Sequence, residues 1–158
     1  MVFPPDIADS VHVELNGNDL LCDHNFKYLG VVIDDELKWT DHIMHVYKKL
    51  LKFTGIFYKL RDKLPPAVLK NMYYAFVHSH VLYAVEIYAN TCPTYLDKLV
   101  KLNNKILRII QNKPFRSHVA DLYIQYKTLP IPLLHEQQLL LFVYKVLNCP
   151  HVLPDVFT

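Results

Sequence analysis

Two adjacent carboxylates, Asp34 and Asp35, stand at the end of an apolar run. Aspartates so placed can hold a pair of Mg²⁺ ions for phosphoryl transfer. Such a site needs a further carboxylate on a neighbouring strand, and the pair reads instead as a turn ahead of a helix. His42 and His45 sit at i and i+3 and could share a metal, but no third ligand has suitable spacing, which favours surface or stacking histidines. Cys22, Cys92 and Cys149 are too scattered for a metal pair, and three glycines in all exclude a Gly-rich phosphate loop. No serine or cysteine has a local histidine partner of nucleophile type. No catalytic residue and no metal ligand is therefore assigned.

Cations are the more informative group. Residues 41–70 carry seven Lys/Arg against two aspartates, and residues 95–118 carry six against Asp97, whereas residues 1–40 carry two lysines against eight carboxylates. On a helix, Lys48, Lys52, Lys59 and Lys63 would fall within about 60° of one another, and Lys98, Lys101, Lys105 and Arg108 within about 80°. Stripes of this kind suit a phosphate backbone, where each neutralised phosphate releases counterions. The competing interpretation is a solvated face opposite a buried one. Some of the eleven tyrosines could stack on bases. At helical spacing, Tyr47, Tyr73 and Tyr74 fit the core or its rim better.

The elements that would carry these residues follow from periodicity. Val11, Val13 and Leu15 alternate with polar residues, and Asn16-Gly17 is a hairpin signal. Leu20 to Cys22 would form the return strand and Phe26 to Ile33 a third, with Gly30 marking a bulge or a close backbone approach. From Thr40, an expected N-cap, apolar residues recur every three to four positions up to Pro65, so a helix over 41–63 would span about 34 Å. Further helices are expected from Pro66 to Val77, with an interruption near His78-Ser79-His80, and from Val81 to Tyr88. Beyond a loop over Asn90–Thr94, others follow at Tyr95–Asn112, Val119–Lys127 and Leu133–Leu147. The last is apolar on most sides and must be central to the core or covered by something else. The fold class is thus α+β, mostly α, with short N-terminal antiparallel strands followed by four to six helices. A length of 158 residues, 52% hydrophobic and 20% charged, suits one folded unit. No run is apolar enough to span a membrane, and an odd cysteine count without a secretion signal points inside the cell, nucleus and cytoplasm being indistinguishable.

Several motifs lie on these elements. Phe26-Lys27-Tyr28-Leu29-Gly30, Asp34, Leu37, Trp39 and His42-Ile43 resemble the "KYLG … D … L … W … HI" segment of LINE-type (non-LTR) retrotransposon reverse transcriptases. That segment closes the polymerase palm at the primer grip and leads into the thumb. Leu60–Leu69 is similar to the thumb's interhelical turn. Tyr73–His78, Tyr83, Glu86–Tyr88 and Asn90 resemble the next segment, with Tyr88 where tryptophan is usual. Leu102–Ile110 is similar to the family's "LQNKALRII" helix. Leu129-Pro130-Ile131 and Tyr144–Asn148 also fit, so the resemblance covers residues 11–150.

The resemblance implies that Tyr28, Leu29 and Gly30 lie near a primer terminus and that the helix from Asp41 follows an RNA–DNA primer–template duplex. It divides the chain into residues 1–40, like the end of the palm, a helical thumb and connection region over 41–150, and a tail over 151–158. The family's metal-binding aspartates lie upstream of the matched segment, so Mg²⁺ would belong to that palm and this chain alone is expected to be inactive. The alternative is a helical protein-interaction domain that binds no nucleic acid. Without a palm against it, the strand region should be the least stable part and could favour self-association.

Overall fold

The computed structural model describes residues 24–148, together with the backbone of 13–15 and 18–20. The strands form two separate two-stranded hairpins rather than the expected three-stranded sheet. In the first, β1 (Val13–Leu15) pairs antiparallel with β2 (Asn18–Leu20), Leu15 opposite Asn18. This register leaves two residues to connect the strands; Asn16, Gly17, Leu21 and Cys22 lie outside the described residues.

The second hairpin pairs β3 (Asn25–Tyr28) with β4 (Val31–Asp34), Tyr28 opposite Val31. Gly30 is therefore not a bulge within a long strand. Leu29 and Gly30 form the two-residue turn, with φ of 46° and 86°. Positive φ at both central positions matches the right-handed twist of the flanking strands. Glycine adopts it freely, whereas leucine does so at a cost of about 1–2 kcal/mol. The Tyr83 hydroxyl, donating to the Leu29 carbonyl, braces the turn from the helical side. β3 is exposed throughout, while β4 lies on the first helix with Val31 buried.

That helix, α1, runs from Thr40 to Leu60. Thr40 is not its N-cap. The cap position falls on Trp39 at φ 63°, with Leu37 also left-handed. Asp34 instead fixes the approach to the helix, its two carboxylate oxygens accepting the backbone N–H bonds of Lys38 and Trp39 at 2.8 Å each, and no side chain caps the first turn. The helix ends three residues sooner than periodicity suggests, and residues 61–63 form a turn ahead of Pro65.

From Pro66 to Leu82 the chain stays helical without the interruption expected at 78–80: α2 (Pro66–Met72), a π-helical segment (Tyr73–His78), then α3 (Ser79–Leu82). The break comes later, at Ala84 with φ 57°, before α4 (Val85–Tyr88). Pro93 does not sit in a loop but heads α5 (Pro93–Ile110), where its missing N–H costs nothing. α6 (Ala120–Tyr126) and α7 (Ile131–Asn148) complete the described residues, and the whole is mostly helical, as expected.

The core is one cluster drawn from every helix: Leu50 and Phe57 of α1, Leu69 of α2, Tyr73 and Val77 of the π segment, Leu99, Ile106 and Leu107 of α5, and Ile131 of α7 among them. Each such side chain contributes about 1.5–3 kcal/mol on burial. A buried polar chain runs through the cluster. The Tyr73 hydroxyl donates to Asn103 Oδ1 at 3.1 Å, Asn103 Nδ2 to the Tyr123 hydroxyl at 3.1 Å, and that hydroxyl to Asn104 Oδ1 at 2.6 Å. Burial pushes the Tyr123 hydroxyl up to about 12 and that of Tyr73 well above the usual phenol range, so both stay donors. α7 is not central to the core. Only Ile131 and Leu134 are buried, and Leu140, Phe142, Tyr144 and Leu147 are exposed.

Candidate nucleic-acid interface

α1 and α5 pack side by side and run in the same sense: Thr91 Oγ1, just ahead of α5, donates to the Lys38 carbonyl just ahead of α1, and the two helices' C-terminal halves share a cleft. Their buried residues, Ile43, Val46, Leu50 and Phe57 on one and Leu99, Leu102, Ile106 and Ile110 on the other, fix which faces look outward. The cations then take the opposite faces. Lys48, Lys52 and Lys59 are exposed on α1, and Lys98, Lys101 and Lys105 on α5. Lys63 belongs to the turn after α1, so the helix itself presents three of the four lysines. Lys101 is partly neutralised by Asp97, 2.5 Å away at i,i−4.

The stripes converge at one end. Between the C-terminal halves of α1 and α5 lies a cleft of about 450 Å³. α1 supplies Thr54, Gly55, Tyr58 and Lys59, α5 supplies Lys105, Arg108 and Ile109, and the following segment adds Lys113 and Phe115. Four cations thus surround a mostly apolar floor, with no carboxylate in the lining. Arg108 is partly committed, its Nε donating to the Ser117 carbonyl at 3.1 Å and its guanidinium lying 5.7 Å from the Phe115 ring centroid. Lys113 and Phe115 do not stand out in the sequence, because they follow the helix and obey no periodicity.

Tyr28, Leu29 and Gly30 lie elsewhere. Tyr28 and Leu29 are exposed, and the Tyr28 ring stacks on Phe26 at 6.5 Å. Leu29 and Gly30 border a second cleft of about 290 Å³ with His42, His45, Lys49, His80 and Tyr83. Lys49 is a further cation, outside the expected stripe. On α1 the linings of the two clefts come as near as Lys49 and Thr54, about 7.5 Å of rise, and they lie on opposite flanks of the helix at about 100° per residue.

Three histidines line that second cleft, and burial lowers the pKa of two of them, His42 and His45. His42 is 1% exposed, and its Nδ1 accepts the Val32 N–H at 3.2 Å, which leaves the proton on Nε2. Burial first, then His45 and Lys49, pull its pKa from 6.5 down to about 4. His45 is lowered for the same reason, burial, with help from Lys49, Lys27 and Lys48. Among the described residues no three His, Cys, Asp or Glu side chains are gathered as a metal site would require. The adjacent aspartates do not fit one either, since Asp34 accepts the Lys38 and Trp39 N–H groups ahead of α1 and Asp35 accepts from His24 Nδ1 at 2.8 Å. That pairing holds Asp35 below the usual carboxylate range.

No helix among the described residues is long and apolar enough to cross a membrane. No protein-family model and no solved structure matches the chain. Two curated proteins do. The RNA-directed DNA polymerase from mobile element jockey of Drosophila funebris is 28% identical over 130 residues, 80% of this chain and 14% of that protein. Its counterpart of Drosophila melanogaster is 25% identical over 114 residues, 70% of this chain and 12% of that protein. The chain therefore spans only a small part of the relatives it matches. The resemblance seen in the motifs is borne out, and over most of its length this chain is similar to one short stretch of a LINE-type reverse transcriptase.

Proposed function

We propose that this chain is the nucleic-acid-gripping part of a retrotransposon reverse transcriptase, a primer grip and thumb that holds an RNA–DNA primer–template duplex while the chemistry resides elsewhere. The observation that carries this reading is the pair of outward lysine faces on two helices packed in the same sense, in a chain whose relatives are RNA-directed DNA polymerases. Parallel cationic rows match a polyanion with regular charge spacing, and each phosphate neutralised releases counterions. A duplex lying along the lysine face of α1 would reach the cations of Lys59 and Lys105 towards the C-terminal end of the helix. Residues 1–40 would present the end of the palm to the primer terminus, and residues 41–150 would form the thumb and connection.

The test is binding to a blunt RNA–DNA hybrid across a salt series. The chain should bind without sequence preference, and Lys48→Glu, Lys52→Glu and Lys59→Glu together should abolish binding at moderate salt. In each single variant the slope of log affinity against log salt should become shallower by up to about one unit, one phosphate being left unneutralised. Unchanged affinity in the triple variant would mean that the lysines are only a solvated face, leaving the helical interaction domain as the better reading.

A further inference from the structure

The cleft between α1 and α5 has features that a duplex-gripping surface does not require. It is concave and apolar-floored, and at about 450 Å³ it lies within the ~300–1,000 Å³ range of small-ligand sites. A double helix is far too wide to enter it. Its mouth carries two aromatic rings that support no core: Phe115 is 78% exposed and Tyr58 59%. Each has a guanidinium beside it, Arg108 at 5.7 Å and Arg61 at 4.4 Å from the ring centroid, so cationic charge and π-surface are presented together.

Gly55 adds an independent observation. It sits in the middle of α1, where glycine costs about 1 kcal/mol relative to alanine. Nothing in the fold asks for it, since a Cβ there would meet no atom within 4 Å. What the missing side chain does is leave the cleft open.

We infer that this cleft receives one unpaired nucleotide of a single-stranded extension. The base would lie against Tyr58, Phe115 and Ile109, and its phosphates would sit among Lys59, Lys105 and Lys113. The occupant follows from complementarity. An apolar floor rejects a bare anion, four cations with no opposing carboxylate reject an apolar ligand, and a nucleotide satisfies both. Stacking on aromatic side chains is sequence-tolerant, so no base preference is expected. The inference deepens the duplex-gripping reading and rests on it: the duplex would follow the lysine faces, and its single-stranded continuation would enter the cleft.

The experiment compares two RNA–DNA hybrids of equal total charge, one blunt and one with a four-nucleotide single-stranded extension carrying 2-aminopurine. The full chain should bind the extended hybrid more tightly and quench the 2-aminopurine fluorescence. Phe115→Ala should weaken the extended hybrid by roughly 5- to 150-fold, the effect of losing one stacked base, and leave the blunt one unchanged. Gly55→Leu, which fills the cleft and favours the helix, should do the same, so a loss there cannot be laid to unfolding. Equal affinity for both hybrids, or a preference that survives both variants, overturns the inference while leaving duplex gripping intact. Binding to neither hybrid overturns both readings. Full displacement of the extended hybrid by polyglutamate of matched charge would overturn the inference in favour of an acidic partner.

Discussion

Acid should loosen the hairpin from α1 through His42, and the size of the effect can be worked out. The ring is buried, its Nδ1 is occupied by the Val32 N–H, and its pKa is pulled from 6.5 to about 4. The unfolded chain takes up this proton near pH 6.5, whereas the folded chain resists it until about pH 4. Unfolded molecules therefore bind more protons between those values, and the stability present above pH 6.5 is lost as pH falls towards 4. At about 1.4 kcal/mol per pH unit, the loss between pH 7 and pH 4.5 comes to roughly 2 kcal/mol. At roughly 2–4 °C per kcal/mol for a chain of this size, Tm should drop by about 4–8 °C from this group alone. His45 and His78 are shifted in the same direction by burial, so total acid sensitivity does not isolate His42. His42→Phe does. It cannot titrate, so although it starts less stable with the Val32 N–H unpaired, its stability between pH 7 and 4.5 should fall by about 2 kcal/mol less than that of the parent. Denaturant melts at the two pH values measure this difference. Parallel losses in both proteins would refute the reasoning.

Two further outcomes are expected. Tyr73→Phe removes the donor to Asn103 Oδ1 inside the core and should cost about 1–3 kcal/mol in urea unfolding, the penalty of a buried acceptor left unpaired. Native-state hydrogen exchange should show early opening of the N–H groups that pair β3 with β4, whose outer strand is exposed throughout, and slow exchange in Ile43–Phe57 and Leu99–Ile110; equal protection would mean that the hairpin shares the helices' stability.

The helices are legible because their apolar residues repeat at helical spacing against a polar face, which is why α1, α5 and the buried positions Leu50, Phe57, Leu99 and Ile106 follow from pattern alone. What pattern misses is set by groups distant in sequence. Thr40 has the composition of a cap, but the cap position falls on Trp39, which Asp34 holds from the end of a strand. Gly30 between apolar residues reads as an interruption of one strand, and only the pairing of Tyr28 with Val31 shows that it ends one strand and begins another. The apolar character of α7 fits burial, yet residues 139–145 and 147 stay exposed, because hydrophobicity states a need for cover without supplying it. Of the candidate interface, the two cationic rows are visible in the spacing. Their convergence with Lys113, Phe115 and Gly55 is not, since it depends on how two helices lie against each other.

The π-helical segment from Tyr73 to His78 bears on which length changes this chain can accept. A π turn holds about one residue more than an α turn, so it behaves as an insertion absorbed within a continuous helix. Everything after it is rotated to suit, including Tyr83, whose hydroxyl reaches the Leu29 carbonyl of the hairpin turn. Deleting one residue of the segment would restore ordinary helical winding: about 100° is lost with the residue and about the same is regained as the wide turn tightens, so the following residues keep their direction relative to α2. Tyr83 would still face the turn it braces. A one-residue gap should thus be tolerated here better than elsewhere between Pro66 and Leu82, where no wide turn can make up the lost rotation of about 100°.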